Sequence, residues 1–300
     1  MNSSVNEIAN AVLYEGYILY PYRPSSKMNR GERFAFGRVY PKNYSDLQGG
    51  SETCQHQTEC LVQSRGKSLE IEVTMRFLQP LWREAGYITE GKDGPFRVVP
   101  ELSVNGVRYQ TWQEAIEREV KVSVGPWEPS QSRHVCFPFL FNESCAVETL
   151  DVGSAGDGAA IRRRRESLLG VVEFEAVQLA AEIFKITVRV SNRTALSSLE
   201  CDDQDAVITR TFASTHTILR ATGGEFISLL EPPSEFRQFA GQCKNIGTWP
   251  VLVGDERQAQ RDTMLSSPIF FYDYPRIAPE SEGRSFDGIE ELVPHEEVSV

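Results

Sequence analysis

The chain has 300 residues, 31 Lys and Arg against 42 Asp and Glu, a net charge of −11, and 40% hydrophobic and 10% aromatic residues. This apolar content excludes a disordered chain, no apolar run approaches the ~18 residues of a membrane span, and so acidic a chain is a poor general binder of nucleic-acid phosphates. Residues 1–10 carry no basic segment followed by an apolar one, so a cytoplasmic protein without membrane insertion is expected.

Taken in chain order, the aromatic stretch 13–22 reads as a strand closed by Pro21 and Pro24. At 69–77 every odd residue is apolar (Leu69, Ile71, Val73, Met75, Phe77) and every even residue down to Arg76 is polar. Successive strand side chains face opposite ways, so this pattern predicts a strand with one buried and one wet face. Asn105-Gly106 between two short β-like runs predicts a hairpin, because both residues tolerate the positive φ of a type I′ turn. Residues 111–119 suit a short helix leading into a strand carried by Val120, Val122 and Val124.

Residues 151–165 change character: a small, glycine-rich stretch is followed by Arg162, Arg163, Arg164 and Arg165. They read as a linker or long loop, with the arginines solvated or holding an anion. Alternation resumes at Val172, Phe174 and Ala176 and again at Phe184, Ile186, Val188 and Val190. Strands are expected over 206–220 and 226–230, and a helix over 235–244 with Phe236, Phe239, Ala240 and Cys243 on one face. The tail beyond 277 is acidic and its last ten residues are expected to fray.

Single wet faces argue for antiparallel sheets. The expected architecture is mainly β and sandwich-like, with few short helices. It divides into a β-rich domain at 1–150, a linker or loop at 151–165, a second β-rich domain at 166–288 and an acidic tail at 289–300. One large sandwich with a long loop at 151–165 is the alternative.

Three groups of residues have chemical potential. Cys54, His56 and Cys60, with His134 and Cys136, offer five nitrogen or sulfur donors that together would close a zinc site, although their spacing matches no common zinc motif. A buried strand thiol is the plainer reading of Cys60, and no cofactor is expected beyond this one opening for zinc. Cys243 with His216 is the one nucleophile–base pairing to name, but a thiol near a helix C-terminus is not activated by it. Trp249, Pro250, Phe271, Tyr272, Tyr274 and Pro275 concentrate rings beside proline, which suits either core strands or a partner-binding surface.

A further set of stretches carries a resemblance: Leu13-Tyr-Glu-Gly-Tyr17, Thr58-Glu-Cys-Leu-Val62, Tyr109-Gln-Thr-Trp-Gln-Glu-Ala115 and Ser214-Thr-His-Thr217. Leu229-Leu-Glu-Pro-Pro233, Cys243 with Asn245-Ile-Gly-Thr-Trp-Pro-Val-Leu-Val-Gly254, Arg261-Asp-Thr-Met-Leu-Ser-Ser-Pro-Ile269, Tyr272-Asp-Tyr-Pro275 and Ile277-Ala-Pro-Glu-Ser281 belong to it as well, as do Leu19-Tyr-Pro-Tyr22 and Glu117-Arg-Glu-Val120. With them the chain resembles uncharacterised accessory proteins encoded beside [NiFe] hydrogenase genes of the actinobacterial, high-affinity type. The resemblance implies a cytoplasmic accessory role and carries over no catalytic residue. It also leads one to expect a further structured segment after Phe286-Asp287-Gly288, where this sequence has only 289–300. The expected function is therefore a non-enzymatic accessory or assembly protein that binds a hydrogenase subunit or maturation factor. The alternatives are a metal- or thiol-dependent enzyme and a structural subunit of a larger complex.

Overall fold

Strands with one apolar face must bury it against another such face, and this chain does so with antiparallel sheets. The structure, a computed structural model, describes residues 3–18, 34–66, 68–88, 94–127, 132–151, 158–277 and 295–299. In chain order the strands are β1 (Gln55–Ser64), β2 (Leu69–Ile88), β3 (Phe96–Val99), β4 (Glu101–Val104), β5 (Val107–Gln110), β6 (Trp112–Trp127), β7 (Arg133–Phe141) and β8 (Ser144–Thr149). They continue with β9 (Gly158–Arg165), β10 (Leu168–Ala180), β11 (Ile183–Asn192), β12 (Ala213–Thr222), β13 (Gly224–Ile227), β14 (Trp249–Leu252), β15 (Thr263–Ser267) and β16 (His295–Ser299). The helices are α1 (Ser3–Ile18), α2 (Lys42–Leu47), α3 (Gln204–Ile208) and α4 (Arg237–Ala240).

One sheet has the order β13-β1-β11-β10-β7, and the other runs β14-β15-β12-β2-β6-β16 with β3, β8 and β9 branching from the far end of β2. The strand β2 is long enough to serve two sets of partners. Its first part pairs with β12 and β6, and its last residues pair with β9 and β3.

The main core lies between the sheets. Leu69, Ile71, Val73, Met75 and Phe77 of β2, with Val120, Val122 and Val124 of β6, join Cys60, Val62, Val172, Phe174, Ala176, Phe184, Ile186 and Val188 in one buried cluster. Apart from Cys60 and Val62, these are the residues picked out by period two. Phe77, Phe139, Phe141 and Phe212 stack within it, with Phe77 and Phe212 centroids 4.6 Å apart. Gly170 makes room for them, since a Cβ there would lie 2.1 Å from the Phe139 ring. The expected hairpin is present as β4–β5, with φ of 51° at Asn105 and 80° at Gly106.

Several local expectations are corrected. Residues 13–18 continue helix α1 and are not a strand, while 19–22 lie outside the described residues. Val5, Ile8, Ala9, Val12 and Leu13 fall at helical spacing, and all five are buried. Residues 112–119 are not helical, because fourteen positions of β2, from Leu69 to Arg83, find partners along β6 and that ladder overrides the local pattern. The front of 206–220 is helix α3, capped by the Asp203 carboxylate accepting from the Asp205 and Ala206 amides. The helix expected over 235–244 is short, yet Phe236, Phe239, Ala240 and Cys243 do share one packed face, against Leu61, Ile183 and Ile227.

Residues 158–165 form strand β9 and not a linker. Each sheet combines strands from both sides of 151–165: β1 sits between β11 and β13, and β2 pairs with β12 on one side and β6 on the other. In the tail, 295–299 pair in parallel with β6. No helix among the described residues is long and apolar enough to cross a membrane.

Candidate functional site

The five zinc candidates separate in space. His56 and Cys60 share a face of β1 but stand four residues apart, roughly 13 Å along a strand, far beyond the ~2.0–2.3 Å bonds of one ion. His134 and Cys136 lie on β7, with β11 and β10 between that strand and β1. His56 is buried against Gly247, where a Cβ would meet the imidazole at 2.5 Å, and it bonds the Thr215 backbone. Burial holds its pKa down to about 4. Cys54 is half-buried just before β1, and Cys60 sits in the main core, which pushes its thiol well above the usual range.

Cys243 and His216 are not brought together either. The Cys243 thiol packs in the small cluster under α4 and donates weakly to the Phe239 carbonyl oxygen. Burial, then the Glu59 carboxylate, raises its pKa to about 11, so little thiolate forms near neutrality. His216 is fully buried on β12, with Nδ1 at 2.9 Å from the Ser214 carbonyl oxygen. Burial, then the Arg76 guanidinium, holds its pKa to about 3. Neither group is poised for nucleophile or base chemistry.

The four consecutive arginines are largely engaged with carboxylates of neighbouring strands. Arg162 pairs with Glu84 at 2.6 Å and stacks 4.4 Å from the Phe96 ring centre. Arg163 bridges Glu114 at 2.9 Å and Glu148 at 3.1 Å, and Arg164 approaches Glu166. Their charge is thus neutralised across β2, β6, β8 and β9, which removes the basis for a free basic patch.

The aromatic–proline segment divides between core and surface. Pro250 is buried, and Tyr274 is turned inward, its backbone N–H donating to the Leu252 carbonyl and its hydroxyl to the Gln260 carbonyl. Phe271 packs against the cluster that holds α1 to the sheet. Phe270, Tyr272 and Trp249 remain 55%, 79% and 45% exposed. The first two are in edge-to-face contact, centroids 6.0 Å apart. Asp273 fixes the segment's path by accepting from the Leu252 amide at 2.8 Å and the Ser228 hydroxyl at 2.5 Å.

Along the 269–277 segment runs a groove. An apolar cleft of about 210 Å³ lies between α1 and the segment, lined by Ile8, Val12, Ile269, Phe271, Pro275 and Ile277. It shares Ile8, Pro275, Arg276 and Ile277 with a wider polar cleft of about 490 Å³ that includes Glu7, Asp255, Glu256 and Arg257. Within the polar cleft Arg276 pairs with Glu256 at 2.5 Å. Ile269 and the α1 residues were not singled out from sequence as site residues. The signal available for the helix was its i, i+3, i+4, i+7 spacing, which continues into the stretch read as a strand.

A buried polar network also escaped sequence reading. The face of β2 expected to be wet is partly covered by α1. There Arg76 donates to Glu117 at 3.0 Å and to Asn10 of α1 at 2.9 Å, lies 3.5 Å from Glu119, and Tyr14 bonds Glu117. Arg118 points the other way, fully buried, donating to Gln79 at 2.8 Å with its guanidinium 4.4 Å from the Phe141 ring centre. The Asn10 and Tyr14 contacts fasten helix α1 to the sheet. No protein-family model matches this chain, and no curated protein matches it.

Proposed function

We propose that this chain is a non-enzymatic accessory protein that docks a protein partner through the Trp249, Phe270 and Tyr272 surface and the groove beside it. The reading rests on one observation: Phe270 and Tyr272 stay exposed on either side of Phe271, which lines an apolar cleft, and Trp249 is exposed on β14. Exposed rings next to a cleft are the chemistry of an interface anchor, since each adds large apolar area at low entropic cost. The cleft suits an apolar anchor side chain, and the polar end, with Glu7, Asp255 and Glu256 beside Arg257 and Arg276, suits flanking polar groups. The resemblance to hydrogenase-associated proteins supplies the partner class, a hydrogenase subunit or a maturation factor, and the cytoplasm as the place.

The experiment is affinity purification of the tagged full chain from its native host, together with a deletion strain. Co-purification of a hydrogenase subunit or maturation factor, and reduced hydrogenase activity in the deletion, are expected. Neither protein in the eluate and unchanged activity would sink the proposal.

A further inference from the structure

Two residues of the dispersed zinc set find a new neighbour on the outer face of the smaller sheet. Along β7, Val135 and Phe137 pack against the core, so His134 and Cys136 point outward, two residues apart on one face. In the antiparallel ladder with β10, Cys136 lies directly opposite Glu173 and His134 opposite Glu175. Opposed residues share a face, which brings Glu173 up to both donors. The Cys136 sulfur is 3.8 Å from Glu173 Oε1, and one ligand atom from each of His134, Cys136 and Glu173 lies within 4.8 Å of the others.

We propose that His134, Cys136 and Glu173 form a surface site for a borderline divalent cation, specifically zinc, with the fourth position open to water. Donor atoms around tetrahedral zinc stand roughly 3.3–3.8 Å apart, so modest side-chain rotations close the triangle. An imidazole nitrogen, a thiolate and a carboxylate form a mixed donor set that favours zinc over the all-oxygen preference of magnesium and calcium. Thiolate and carboxylate together neutralise the ion's charge. Glu175, the next carboxylate on this face, is engaged by Arg189 at 3.5 Å, and that guanidinium also donates to Gln57 at 2.7 Å. This leaves Glu173 as the ligand and Glu175 as part of the frame. The ladder fixes the three backbone positions before any ion arrives, so binding orders side chains alone.

The test is titration of the purified, reduced full chain with zinc against a chromogenic chelator, and with cobalt as a spectroscopic substitute. The wild type is expected to bind one equivalent and to show a thiolate-to-cobalt charge-transfer band. C136S is expected to lose the band, and both C136S and H134A to bind zinc at least tenfold more weakly. All three side chains face away from the core, so circular dichroism should show these variants folded as wild type. C145S, which changes the other exposed thiol, should keep both band and affinity. No band in the wild type, or undiminished zinc affinity in folded C136S, overturns the site.

Discussion

Two groups of aromatic rings in this molecule have opposite fates. Phe77, Phe139, Phe141 and Phe212 interlock between the sheets with almost no exposure, whereas Trp249, Phe270 and Tyr272 project into solvent. The first group belongs to alternating strands or to the loop beside one, and it sits within the main apolar cluster, with the Arg118 guanidinium against Phe141. The second lies at the margin of β14 and in the irregular segment after β15, where Phe271 and Tyr274 take the inward positions. Ring content alone therefore does not mark core or interface. What decides is whether a facing sheet is within reach.

If that distinction is right, the two groups respond differently to truncation. Phe77→Ala should destabilise the fold by about 3–5 kcal/mol, the usual cost of emptying a large buried ring, read by denaturant unfolding. A loss below about 1 kcal/mol would mean that the four rings do not form one packed unit. Phe270→Ser with Tyr272→Ser should leave stability within about 0.5 kcal/mol of wild type, because neither ring supports the core.

Between these extremes lies a pH effect. His56 and His216 are held neutral in the fold, with pKa values of about 4 and about 3, against about 6.5 when unfolded. Below about pH 6.5 the unfolded chain binds protons that the fold refuses, so stability is complete above that value and falls as pH drops toward 4. The slope is about 1.4 kcal/mol per pH unit for each histidine that only the unfolded chain protonates. His216→Asn should flatten the curve between pH 4 and 6, and an unchanged curve would show that His216 is not buried neutral.

Much of the β architecture was legible because period two is a direct imprint of the pleat. Leu69 to Phe77, Val172 to Ala176 and Phe184 to Val190 each needed a covered face, and Asn105-Gly106 named its own turn. Less visible was whatever depends on distant partners. Residues 112–119 take the strand form because β2 lies alongside, and Arg162 to Arg165 form a strand because Glu84, Glu114 and Glu148 stand opposite or beside them. The wet face of β2 could not announce that α1 would cover Arg76. For the candidate site, ring-rich composition marked the segment, but not which rings face out: alternation leaves Phe270 and Tyr272 at the surface and Phe271 inward, and Tyr274, at φ 56°, breaks the alternation and turns inward. The five zinc donors divide because Cys54, His56 and Cys60 lie at or on β1 while His134 and Cys136 lie on β7, with two strands between, and Glu173 joins the latter pair only through the β7–β10 ladder.

The central claim is that the exposed rings are a docking surface. Its most direct test is to compare wild type with the folded Phe270→Ser/Tyr272→Ser chain for binding to the hydrogenase subunit or maturation factor recovered with the wild type. Binding weakened at least tenfold with an unchanged melting temperature is the predicted result. Equal binding by both chains would contradict the account.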